Sequence, residues 1–171
     1  MLFGIWKSYL APLLGRPPRY QIGALCYRNG TAGLEVLLIT SRTTRRWIIP
    51  KGWPMQGTDA GGTALEEAWE EAGIKPCGGK PLRIGRYRYD KIMDGGLPLS
   101  TEVDVYAIEI EKLYDSWPEM EERERRWMSP KEAAKLVAEP ELAALVRDLP
   151  ELPDSRGNGK RASSGTAGDA S

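Results

Sequence analysis

Apolar residues recur along this chain in two rhythms. Ile22, Ala24, Leu25 and Cys26 predict a buried strand from Arg19 to Tyr27, ended by a turn at Arg28-Asn29-Gly30. Leu34 to Thr40, dominated by Val36, Leu37, Leu38 and Ile39, predicts a second strand, and Arg45 to Ile49 a third. Short strands joined by polar turns favour a compact mixed or antiparallel sheet. Further on the period lengthens. Leu65, Ala68, Trp69 and Ala72 fall at i, i+3, i+4 and i+7, an apolar stripe expected to face the sheet, with Gly73 closing the helix. Glu67, Glu70 and Glu71 are expected on the opposite side. After a Pro/Gly-rich loop from Lys75 to Pro81, Leu82 to Ile92 and Thr101 to Ile110 predict a hairpin turning at Asp94-Gly95-Gly96. Val103, Val105 and Ala107 alternate there with Tyr106, Ile108 and Ile110, so both faces are expected to be buried. Trp127-Met128 predicts a last short strand, and Ser129-Pro130-Lys131-Glu132 a capped helix start. Ala133, Leu136, Val137, Leu142, Leu145 and Val146 then predict a buried helical region interrupted near Pro140.

The two ends differ from this middle. Residues 1–18 form an apolar extension rich in aromatics, too short to span a bilayer and interrupted by Lys7. A short helix packed on the domain, or on a second copy as a homodimer, is the expectation; a membrane-surface helix has only Lys7 for support. Pro17 and Pro18 mark the boundary. Residues 19–150 form the domain, and residues 151–171, rich in Gly, Ser and Ala, read as a disordered tail. A chain of 171 residues is long enough for one core.

Charge is balanced, with 24 basic and 24 acidic residues, so nothing global favours nucleic acid or membrane as a partner. There is no histidine, which removes Ser-His-Asp and Cys-His catalysis and histidine-ligated zinc. General-base work falls to Asp, Glu, Lys or Tyr. Cys26 and Cys77 form no CxxC motif and point to reduced thiols in a cytoplasmic protein.

Candidate chemistry centres on the acidic helix. Three carboxylates on one face repel by roughly 0.2–0.5 kcal/mol per close pair unless something neutralises them. From the helix alone, a solvated face and a cation site both stay open. The lead-in Arg45-Arg46-Trp47-Ile48-Ile49-Pro50-Lys51-Gly52 changes the balance, because cations beside oxygen ligands are what a polyphosphate with Mg²⁺ or Mn²⁺ requires.

From Gly52 to Ile74 the chain resembles the Nudix box, G-x5-E-x7-R-E-U-x-E-E-x-G-U with U aliphatic. Gly52, Glu67, Ala68, Glu70, Glu71, Gly73 and Ile74 match in register; Thr58 and Glu66 stand where the pattern has Glu and Arg. The segments I-I-P-K-G-W-P and E-A-W-E-E-A-G-I resemble the branch that cleaves diphosphoinositol and diadenosine polyphosphates, and the likeness extends more weakly from Arg19 to Leu149. The resemblance implies an α+β fold, an α/β/α sandwich with a mixed sheet flanked by helices. It also implies metal-dependent hydrolysis of a diphosphate linkage in a small-molecule polyphosphate, with Glu67, Glu70 and Glu71 as catalytic metal ligands. One of these, or Glu119, Glu121 or Glu122, would take the proton of the attacking water. Phosphate binding would fall to Arg19, Arg42, Arg46 and Lys51, with Arg86, Arg88 and Lys91 extending the wall, while Trp53 either stacks a base or packs. Asp59 is a candidate stand-in for the missing glutamate. Thr58 and Glu66 keep open a binding module that does not cleave; a third reading, removal of pyrophosphate from RNA 5′ ends, predicts salt-dependent RNA binding and gains little support from the neutral charge.

Overall fold

The structure, a computed structural model, describes residues 19–151. The expectations for residues 1–18 and for the tail beyond residue 151 lie outside the described residues. Strands β1 (Tyr20–Gly30), β2 (Gly33–Thr40), β3 (Trp47–Ile48) and β4 (Lys51–Gly52) precede helix α1 (Ala60–Ala72). Strands β5 (Ile74–Pro76), β6 (Leu82–Ile92), β7 (Pro98–Leu113) and β8 (Arg125–Met128) follow, and α2 (Pro130–Leu136) and α3 (Pro140–Asp148) close the fold. The eight strands form one mixed sheet along the path β3-β2-β1-β7-β5, with β4 on β1, β6 on β7 and β8 on β2. The β1–β7 pairing is parallel and the other pairings are antiparallel.

Alternation along the strands fills a core on each side of this sheet, giving the α/β/α sandwich. Leu25, Val36, Leu38, Val103 and Val105 point to one face, where Ala133, Leu142, Ala143 and Val146 of α2 and α3 cover them. Ile22, Ala24, Leu37, Ile39, Ile108 and Ile110 point to the other, under Ala64, Ala68 and Ala72 of α1. Both faces of β7 are buried, as its alternation predicts. Among the described residues no helix is long and apolar enough to cross a membrane.

The local chemistry at the ends of α1 explains how it is held. Burying three alanine methyls contributes on the order of 2 kcal/mol, too little to hold a helix by itself. Asp59 is the N-cap, its Oδ1 accepting from Gly62 N at 2.7 Å, so its carboxylate is engaged at the helix start. Gly73 ends the helix in the left-handed region with φ 64°, a conformation that penalises any residue with a Cβ. The β7–β8 connection and the first residue of β8 then bond the last carbonyls: Glu119 N donates to Glu70 O, Trp117 Nε1 to Glu71 O and Arg125 Nη1 to Ala72 O.

Several expectations are corrected. The apolar stripe of α1 is rotated: Thr63, Ala64, Glu67, Ala68, Glu71 and Ala72 are buried, Leu65 is half-buried, and Trp69 is 41% exposed. Small side chains let the helix lie close to the sheet, and a tryptophan does not fit that gap. The turn predicted at Arg28–Gly30 lies at Thr31-Ala32, because Arg28 stays in the strand, paired with Glu35 at 2.7 Å and stacked on Trp127. The third strand shrinks to Trp47–Ile48, since Arg45 adopts φ 56° and breaks the extended run. Part of the expected Lys75–Pro81 loop is β5, paired with the end of β7. Leu136 is 44% exposed, because the α2 helix ends there. The capping box at Ser129 and Glu132 forms as expected.

Candidate active site

Two predicted ligands of α1, Glu67 and Glu71, lie one turn apart on its inner face, over β4. The Glu67 carboxylate rests against Gly52: a Cβ there would run into it, standing 2.6 Å from Oε2 and nearer still to Oε1. Glu71 Oε2 accepts from Lys51 N at 3.1 Å. Neighbouring residues of one short strand therefore receive both carboxylates, which is why this strand carries a glycine at position 52. Both acids are buried, whereas Glu70 is half-buried at the rim and Glu66 is exposed. The three box carboxylates are thus not displayed as one solvated face opposite the apolar stripe. Two share the buried face and one edges it.

Burial pushes the Glu71 carboxyl up to about 7, while Lys51 and Arg123 pull it down and Glu67 adds to the rise. Burial likewise pushes the Lys51 ammonium down, and Glu71 opposes that. Arg123, which the sequence reading passed over inside an acidic run, is buried beside Glu71, with Nη2 2.6 Å from Oε1. Its only sequence signal is its spacing from Glu119 at i, i+4, the pair closing at 2.8 Å.

Cations ring this centre. Arg46 pairs with Glu139 at 3.6 Å, and Glu139 also acts on Lys51. Arg42 pairs with Glu122 at 3.2 Å and approaches Glu119 at 3.7 Å. Lys51 lies over the Tyr89 ring at 5.3 Å, and Lys91 over Trp53 at 4.4 Å. Burial lowers the Lys91 ammonium, and Arg42 lowers it further. Arg42, Arg46, Lys51 and Lys91 therefore belong to one electrostatic group with Glu71. Arg19, exposed ahead of β1, is joined to that group by no contact among the described residues. Arg86 and Arg88 do not extend the wall. Alternation on β6 sends them away from Tyr87 and Tyr89, to Asp104 and Glu102 at 2.8 Å. Of the loop acids, Glu119 reaches the centre through Arg123, Glu122 is held by Arg42, and Glu121 is exposed.

The donor set suits a hard divalent cation. Among the described residues no three acidic groups are gathered at the distances of a ready-made cage. Mg²⁺ does not require one, since it commonly takes one or two carboxylates and completes its shell with water and substrate phosphates. Glu67, Glu71 and the rim residue Glu70 could supply such oxygens, and Lys51, Lys91, Arg42 and Arg46 lie in the same electrostatic neighbourhood.

A mixed sheet between helices, with two buried acids on the first helix and cations beside them, is an arrangement that suits a metal-assisted reaction on an anionic substrate. The chain matches the family model of the NUDIX domain over residues 17–149, more than half its length, and belongs to the Nudix family. It is 28% identical over 119 residues to diphosphoinositol polyphosphate phosphohydrolase 3-beta of Homo sapiens, covering 68% of each chain. Against Nudix hydrolase 13, mitochondrial, of Arabidopsis thaliana it is 34% identical over 115 residues, spanning 60% of this chain and only 53% of that one. Among solved structures the fold is shared with the C. elegans Ap4A hydrolase at a TM-score of 0.56 and 21% identity, over 77% of this chain and 96% of that one. The protein is an enzyme of the Nudix pyrophosphohydrolase type.

Proposed function

We propose that the enzyme cleaves the diphosphate linkage of a diphosphoinositol polyphosphate or a dinucleoside polyphosphate, with Glu67, Glu70 and Glu71 holding Mg²⁺ or Mn²⁺. The observation carrying this reading is the gathering of Lys51, Lys91, Arg42 and Arg46 near Glu71, Lys51 and Lys91 acting with it directly and the two arginines through neighbouring groups. A gathering of cations balances a substrate with more negative charge than a single diphosphate, and arginine forks suit bidentate phosphate contact. The relatives named above, diphosphoinositol and Ap4A hydrolases, act on substrates of that kind. When bound, the divalent cation neutralises charge on the linkage and makes an attacking water more acidic. Glu119, which pairs with the Glu71 partner Arg123, is in this reading the acid outside the helix that receives the proton. Arg19, ahead of β1 and without a contact to those cations or to Glu71 among the described residues, enters this reading on the sequence resemblance alone. A cytoplasmic setting is supported by Cys26 and Cys77, which form no disulfide with each other.

A second reading, a module that binds without cleaving, is favoured by one observation: Lys51 N and Arg123 already engage both oxygens of Glu71. Phosphate release from diphosphoinositol polyphosphates, diadenosine polyphosphates, ADP-ribose and 5′-triphosphorylated RNA, with Mg²⁺, with Mn²⁺ and with a chelator, separates the possibilities. Turnover of the first two classes that stops with chelator or with Glu71→Gln supports the proposal. Binding without turnover across the panel supports the module, and turnover confined to RNA refutes the assigned substrate class.

A further inference from the structure

The β7–β8 connection places one arginine where the hydrolytic centre needs a fixed carboxylate. The Arg123 side chain is 5% exposed, and all three of its recorded bonds go to different parts of the fold. Nη2 donates to Glu71 Oε1 at 2.6 Å, Nε to Glu119 Oε2 at 2.8 Å and Nη1 to the Thr40 carbonyl at 3.0 Å. A guanidinium is planar and rigid, so anchoring two of its edges dictates where the third can meet a carboxylate. Those anchors are themselves tied down. Glu124 N donates to Thr40 Oγ1 at 2.9 Å, and Thr40 N donates to Glu124 O at 2.9 Å, locking the connection to the end of β2. Glu119 N donates to Glu70 O, which locks the connection to α1. The helix offers no such cation of its own at position 66, where an exposed glutamate stands.

We propose that Arg123 is the positioning residue for Glu71. It holds Oε1 while Lys51 N holds Oε2, which fixes the carboxylate's orientation and leaves each oxygen a further lone pair for a cation. A buried arginine is costly unless paired, and here its pairing is spent on one conformation of an acid in the centre. Arg123 acts through Glu71 and does not touch substrate. The inference rests on the reading of Glu71 as a cation ligand of the hydrolytic site.

The test compares wild type, Arg123→Lys, Glu71→Gln and the double variant. Arg123→Lys keeps the charge and loses the fork, which protects folding; circular dichroism confirms that each variant is folded. Mn²⁺ affinity is read by electron paramagnetic resonance, and kcat and KM on the substrate turned over best. Groups that orient ligands typically change metal affinity or activity by roughly 10–100-fold when lost, so Arg123→Lys is expected to lower kcat and Mn²⁺ affinity by about that factor, with KM little changed. In the Glu71→Gln background the same substitution is expected to have no further effect on Mn²⁺ affinity. An equal fall in both backgrounds shows a merely structural role and overturns the inference, as does a wild-type kcat and Mn²⁺ affinity in Arg123→Lys. Coupling in Mn²⁺ affinity without turnover by wild type sinks the hydrolase reading alone and leaves the positioning role standing. A wild-type protein that neither turns over nor binds Mn²⁺ sinks both.

Discussion

The close approach of the Glu67 carboxylate to the Gly52 backbone offers the sharpest test of the site. A methyl at this position would collide with Glu67 and stand 2.6 Å from Oε2, where ordinary contact begins at 3.4 Å, so the carboxylate must retreat by about 0.8 Å at the least. Misplacement by about 1 Å of a reacting group can cost roughly 100-fold in rate. Since each tenfold is about 1.36 kcal/mol of barrier, Gly52→Ala is expected to raise the barrier by about 2.7 kcal/mol. Stability should change far less. Gly52 is not among the positive-φ glycines, so alanine fits its backbone and removes unfolded-state freedom worth about 0.4–1 kcal/mol. That gain offsets part of the cost of moving the carboxylate, and the net change should stay within about 1 kcal/mol. Steady-state kinetics with Mg²⁺, beside urea unfolding of the same preparation, separates the two effects. A folded Gly52→Ala protein with wild-type kcat and KM would falsify the claim that Glu67 must sit against β4.

Arg125 stacks on Trp117 at 3.8 Å and donates to Ala72 O at 2.8 Å and Tyr114 O at 2.7 Å. Arg125→Met leaves both carbonyls without these donors and should cost about 2 kcal/mol, a drop of several degrees in Tm; an unchanged Tm contradicts the assigned helix clamp. On the far side of β7, burial works to raise the Asp104 carboxyl, but hydrogen bonds from Arg86, Arg83 and Tyr20 overcome it and hold it well below the usual carboxylate range. A depressed carboxyl stabilises the fold above its unfolded value and loses that contribution as pH falls toward its folded one. Asp104→Asn should therefore be less stable than wild type at neutral pH, and the gap should narrow as pH drops below about 4. A gap that is constant in urea titrations across that range rules out the assigned network.

Much of the architecture was legible because period and burial agree. The alternation of β7 announced a strand buried on both faces, and the Ser129 capping box announced α2 to the residue. The rotation of α1 was not legible. Apolar spacing placed Leu65 and Trp69 inward, whereas the sheet accepts only the small side chains at 64, 68 and 72, and that choice turns Glu67 and Glu71 inward with them. Arg42, Arg46 and Lys51, picked out in the sequence, lie in the neighbourhood of Glu71; Arg86 and Arg88 face the other side of β6, since Glu102 and Asp104 are distant in sequence and opposite only in register.

By itself the sequence determined the family of folds, the acids of the helix and the absence of histidine chemistry, because periodicity, motif spacing and composition are local properties. Tertiary structure alone decided which acids are buried and who holds them. Arg123 reads as one charge in a solvated loop until the β7–β8 connection folds back over α1 and brings it to Glu71, 52 residues away along the chain. Low dielectric then makes that pairing strong, and low dielectric is a property of the assembled core that no stretch of sequence carries alone.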